Sequence, residues 1–101
     1  MKIPKTVFIA GKEWKIVIDK KEAGASFCTS ETTMTIGTLW GEGQTRENFL
    51  HEILEAILCE RMLRYKLRDG LDNGDLMFVM KHEDMSQVVQ DLALALKDVI
   101  K

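Results

Sequence analysis

Residues 45–59 read Thr-Arg-Glu-Asn-Phe-Leu-His-Glu-Ile-Leu-Glu-Ala-Ile-Leu-Cys. Placed on a helix, Phe49, Leu50, Ile53, Leu54, Ala56, Ile57 and Leu58 cover a wide apolar arc. Asn48, His51, Glu52, Glu55 and Cys59 collect in the remaining wedge. A helix apolar over most of its circumference belongs at the centre of a fold, and its polar wedge must face solvent or a site. The helical pattern extends over residues 46–67. Thr45 is the expected N-cap and Glu47 sits favourably in the first turn. Gly41 and Gly43 break the chain before it.

Upstream of this helix the periodicity changes. Residues 6–10 and 13–18 alternate as strands, and Gly11-Lys12 suits a two-residue hairpin turn. That turn pairs Ile9 with Trp14 and Val7 with Ile16, with Ile18 on the same apolar face. Residues 20–25 are polar and read as a loop. Residues 26–29 and 32–37 read as short strands about a Ser30-Glu31 turn, with Thr33, Met34, Thr35 and Ile36 alternating.

Downstream, Asp69-Gly70 and Asp72-Asn73-Gly74 mark a loop. Residues 76–80 are a short apolar run, ambiguous between strand and helix lead-in. Residues 83–100 predict a second helix, with Met85, Val88, Val89, Leu92, Leu96 and Val99 as its buried face. The expected fold is α+β. A small N-terminal, largely antiparallel sheet packs on the motif helix and a C-terminal helix, in one domain spanning residues 1–101.

Composition narrows the function classes. The net charge of -2 and the lack of any basic block argue against a nucleic-acid surface. No apolar run is long enough to span a bilayer, and the N-terminus lacks a signal-peptide core, so a membrane-free, cytoplasmic protein is expected. Two cysteines, Cys28 and Cys59, are too few for the disulfide framework of a small secreted domain. The basic run Arg61, Arg64, Lys66, Arg68 follows the helix end and reads as structural.

The polar wedge carries the chemistry. Residues i and i+4 lie about 40° apart on a helix, so His51 and Glu55 can grip one metal ion. Glu52, about 100° from His51, stands where a general base would act. A catalytic zinc takes three protein ligands and keeps a position for water, whose proton a nearby carboxylate removes. The expected third ligand is His82, with Glu83 as the alternative, because His82 lies at helical spacing from Met85 and Val89. Each of these residues also has an ordinary reading: solvated glutamates, a hydrogen-bonded structural histidine and a residue near a helix cap. Cys59, four residues beyond Glu55, reads as a small semi-buried side chain.

The whole chain resembles the compact zincin-like proteins of bacteriophages and prophages. The likeness is carried by Ile3-Pro4-Lys5-Thr6 before a hairpin, by the Thr33-Met34-Thr35-Ile36 strand and by residues 45–57. It extends to a final amphipathic helix ending Leu92-Ala93-Leu94-Ala95-Leu96. In that family the segment matching residues 49–57 commonly reads like LLHEILHAI, and this chain departs from it at Glu55. The resemblance implies an α+β fold and metal-dependent peptide hydrolysis, with His51 and Glu52 in their usual roles.

Three functions are therefore expected to compete. The first is a zinc metallopeptidase with weak or lost hydrolysis, acting on a peptide or protein held by an edge strand at residues 33–36. The second is an inactive binding or regulatory module that keeps the fold. The third is a homodimer built on the apolar second helix.

Overall fold

The computed structural model describes residues 2–66, 76–97 and 99. They form an α+β fold of two helices and six strands. Strands β1 (Thr6–Ile9), β2 (Lys12–Asp19), β3 (Ala25–Cys28) and β4 (Thr33–Gly37) make one sheet. Helix α1 (Glu42–Glu60) follows, then strands β5 (Arg64–Lys66) and β6 (Leu76–Phe78), then helix α2 (His82–Ala95). The predicted loop at Asp69-Gly70 and Asp72-Asn73-Gly74 lies outside the described residues.

The main sheet has the order β1-β2-β4-β3, with two antiparallel pairs and one parallel pair, β2 with β4. β4 is therefore an internal strand. The expected peptide-holding edge at residues 33–36 is already paired on both sides, and among the described residues the open edges belong to β1 and β3.

The first hairpin turns at Ala10-Gly11, one residue earlier than expected. Both residues adopt positive φ, 51° and 81°, the conformation whose twist suits a two-residue hairpin. Val7 pairs with Trp14 and Ile9 with Lys12. The register differs from expectation by two residues in total, an even number, so the same side chains face the core. Val7, Ile9, Trp14 and Ile16 are buried, whereas Phe8 and Ile18 are exposed.

Helix α1 begins four residues before the predicted start. Gly41, at φ 89°, provides the entry. Thr45 is not the N-cap; its hydroxyl donates back to the Gly41 carbonyl at 2.8 Å, a bond made from within the helix. The inner face of α1 packs Phe49, Ile53, Ala56 and Ile57 against Met34, Ile36 and Trp14. The apolar arc is narrower than expected, since Leu50 and Leu54 are exposed. Asn48 fastens the helix to the sheet. Its buried amide donates to Ala23 O at 2.8 Å and Gly37 O at 3.1 Å. Gly37 itself donates to Gly24 O at 2.8 Å, and a side chain at this position would collide with the Gly24 and Glu22 carbonyls.

The helix ends at Glu60, well before residue 67. Leu63 N–H donates to Leu58 O at 2.8 Å and Met62 N–H to Cys59 O at 3.1 Å. Met62 has φ 60°. These are the bonds and the left-handed residue of a Schellman C-cap. The chain then leaves as β5, which pairs with β6 and resolves the ambiguous run at residues 76–80 as a strand followed by a helix lead-in.

Helix α2 starts at His82, where the Asp84 carboxylate accepts the Lys81 backbone N–H at 3.0 Å. Its buried stripe is Val88, Asp91, Ala95 and Leu96, with Leu92 and Val99 packed beside it. Met85 and Val89, expected inside, are exposed. The stripe rotates because Asp91 is buried, and it can be buried because Arg61 at the end of α1 grips it with two bonds of 2.7 and 2.8 Å. Among the described residues no helix is long and apolar enough to cross a membrane.

Candidate metal centre

The motif lies in the middle of α1, where helical geometry fixes the spacing of its side chains. His51 Nε2 and Glu55 Oε2 are 2.9 Å apart. Glu52 joins them, and one ligand atom from each of the three lies within 4.8 Å of the others. Exposure grades across the group. The His51 side chain is 69% accessible and that of Glu55 17%, whereas Glu52 is buried. An ion would reach the histidine directly from solvent, with the Glu52 carboxylate beneath it.

Burial raises the Glu52 pKa, and the Glu55 charge raises it further; His51 and Arg64 pull the other way. A carboxyl group whose pKa is raised in this way holds a proton more readily than an ordinary glutamate, which suits it to proton transfer.

Two zinc ligands at about 2.0–2.1 Å in tetrahedral geometry lie about 3.3 Å from each other. The His51–Glu55 pair needs only a slight opening to meet that distance. The donor set, one imidazole and one or two carboxylates, suits zinc among other divalent ions. The pair thus fits part of a zinc coordination shell.

The other expected ligands do not join the group. His82 and Glu83 open α2 and are exposed, and the cluster formed by the described residues contains neither of them. His82 was expected to lean toward the buried face of α2. That face is rotated away from it by the burial of Asp91. Cys59 is half-buried, unpaired with Cys28 and outside the cluster.

Arg64 was read only as part of a basic run, yet it belongs to the site. Its Nε is 3.7 Å from Glu55 Oε1, whereas His51 meets the other oxygen, Oε2. Its guanidinium carbon sits 5.4 Å from the centroid of the Phe27 ring, and Phe27 in turn packs on Trp14 with ring centroids 6.1 Å apart. A chain of contacts thus runs from the core through β3 to Glu55. Arg64 pairs with Phe78 across the β5–β6 ladder, and residues directly opposite in a ladder share a face. Phe78 accordingly lines a recess of about 140 Å³ with His51, Leu54, Glu55 and Leu58.

No protein-family model, curated protein or solved structure matches this chain. The site's chemistry is therefore argued from its own residues.

Proposed function

We propose that this chain is a zincin-like domain in which His51 and Glu55 hold a zinc ion and Glu52 serves as its base, with peptide hydrolysis weak or lost. The observation that carries the reading is the convergence of His51, Glu52 and Glu55 on one turn of a central helix. When bound, zinc would polarise a peptide carbonyl. The protein's own residues supply the rest. Glu52 accepts and returns a proton, aided by its buried position. The open edge of β3, whose Phe27 touches the same guanidinium as Glu55, can hold an extended peptide through backbone hydrogen bonds.

Weak activity follows from the ligand set. Glu55 adds a negative charge where a histidine would be neutral, which makes the ion a poorer Lewis acid. Among the described residues no third ligand from another element approaches the pair. Phage or prophage origin rests on the resemblance of the motif segment. A cytoplasmic setting is supported by Cys28 and Cys59 remaining free.

A second reading is favoured by the His51–Glu55–Arg64 network, which satisfies its charges without any metal. In that case the fold is a binding or regulatory module, and the exposed Met85 and Val89 of α2 offer a surface for a second copy.

Isothermal titration with zinc separates the two. Weak binding by the unmodified protein is expected, with Glu55→His tightening it on the order of tenfold. Equal and negligible binding by both forms would leave the module as the better account. Strong peptidase activity abolished by Glu52→Gln would show that hydrolysis is intact.

A further inference from the structure

Glu55 stands where a neutral second histidine would serve, yet its extra charge does not stand alone. The carboxylate is divided between two partners. Oε2 meets His51 Nε2 at 2.9 Å, and Oε1 faces Arg64 Nε at 3.7 Å. Arg64 is restrained from three sides. Its backbone is locked in the β5–β6 ladder, its guanidinium stands over the Phe27 ring, and its side chain is only 22% accessible. We propose that Arg64 is a positioning residue of the zinc site, which neutralises the charge of Glu55 and holds Oε1 so that Oε2 alone is presented beside His51. This inference rests on the metal reading given above.

The charge balance supports it. A neutral imidazole, a carboxylate and a guanidinium sum to zero, as two neutral imidazoles do. The ligand pair and its arginine together therefore carry the net charge of the two-histidine motif, although the carboxylate that would touch the ion still donates more charge to it than a second imidazole and leaves it the poorer Lewis acid. A guanidinium is the right group for the task. Groups of this kind can rest on an aromatic ring while facing a carboxylate, which an ammonium group does less well. Groups that orient a metal ligand from behind commonly govern affinity as strongly as the ligand itself.

The test is a double-mutant cycle read by zinc titration. Arg64→Gln, Arg64→Lys, Glu55→His and the pair Glu55→His with Arg64→Gln are compared with the unmodified protein, each first verified as folded by thermal melting. Arg64→Gln should weaken zinc binding about tenfold or more, and Arg64→Lys, which keeps the charge, should recover part of the loss. In the Glu55→His background the arginine has lost the carboxylate it faces and, apart from its pull on the buried Glu52, it repels the ion. There Arg64→Gln should leave affinity unchanged or tighten it. Cobalt gives a second readout. The unmodified protein should show the intense visible absorption of a four-coordinate ion, and Arg64→Gln should dim it as Glu55 becomes free to chelate through both oxygens.

Equal losses in both backgrounds would reduce Arg64 to a structural residue. Undiminished binding by Arg64→Gln in the presence of Glu55 would also overturn the proposal while leaving the metal reading in place. An absence of zinc binding in the unmodified protein would remove both.

Discussion

Glu52 is a buried acid on a helix that also carries the core, and that position has a thermodynamic consequence. Burial raises its pKa, so in the metal-free protein the folded state holds this proton more tightly than the unfolded chain. Stability then falls as pH rises through the Glu52 titration, and the deficit disappears below the ordinary glutamate range, about 4.3. Glu52→Gln keeps the shape and removes the charge. It should raise the melting temperature of the metal-free protein by a few degrees at pH 8, with the gain vanishing near pH 4; thermal melts across that range check it. The residues of the motif were legible because a helix fixes the angles between positions 51, 52 and 55. Asn48 shared their wedge, but an angle does not reveal what packs above it, here the carbonyls of Ala23 and Gly37. Arg64 was hidden for a different reason. The apolar pattern ran past residue 60 and placed the arginine on a helix, whereas it belongs to a strand that doubles back toward Glu55.

At the scale of elements, the end of α1 decides where that strand goes. A helix stop normally announces itself with glycine at the left-handed position. Here Met62 occupies it at φ 60°, so no punctuation was visible. Met62 is 77% exposed, and its replacement sacrifices no buried contact. Met62→Gly should therefore stabilise the protein by about 1 kcal/mol through relief of the side-chain strain, measured by urea denaturation. The first hairpin teaches a similar lesson. Its two strands and inward face were readable from alternation, while its register depended on Ala10 accepting φ 51° beside Gly11, a choice that alternation does not encode. The start of α2 was nearly right, but the helix stops at Ala95, five residues short of the expected end, and its buried face differs as well. An apolar pattern points to Val89 and cannot anticipate that Asp91 is buried by a partner thirty residues away.

That partner belongs to the scale of the whole molecule. Arg61 and Asp91 join the end of α1 to the middle of α2 by two short bonds, and the Asp91 side chain is only 9% accessible. The bonds from Arg61 hold the Asp91 pKa below its usual value. The folded protein therefore releases this proton more readily than the unfolded chain. The stabilisation is present at neutral pH and is lost as pH falls below about 4, through the lowered folded-state pKa. Asp91→Asn should cost about 1–2 kcal/mol at pH 7, the range of a charge-assisted hydrogen bond with a partly exposed partner. The gap from the unmodified protein should narrow in acid, and denaturant melts at pH 7 and pH 3 measure both limits. The α+β class was evident from the switch between two-residue and helical periods. The order of strands was not, because pairing across a sheet is set by contacts distant in sequence.

The internal position of β4 also decides which chain loops the sheet must close. β3 and β4 are neighbours in sequence and close a short antiparallel ladder, which can form early at little entropic cost. The parallel seam between β2 and β4 pairs residues farther apart in sequence, such as Lys15 with Thr33, and closing that loop costs more entropy. Asn48 ties the helix to this hairpin, since its amide bridges the segment entering β3 and the end of β4. The helix that carries the candidate zinc ligands is thus fastened to the hairpin that puts β4 inside the sheet, so the site and the sheet's interior strand share one anchoring side chain.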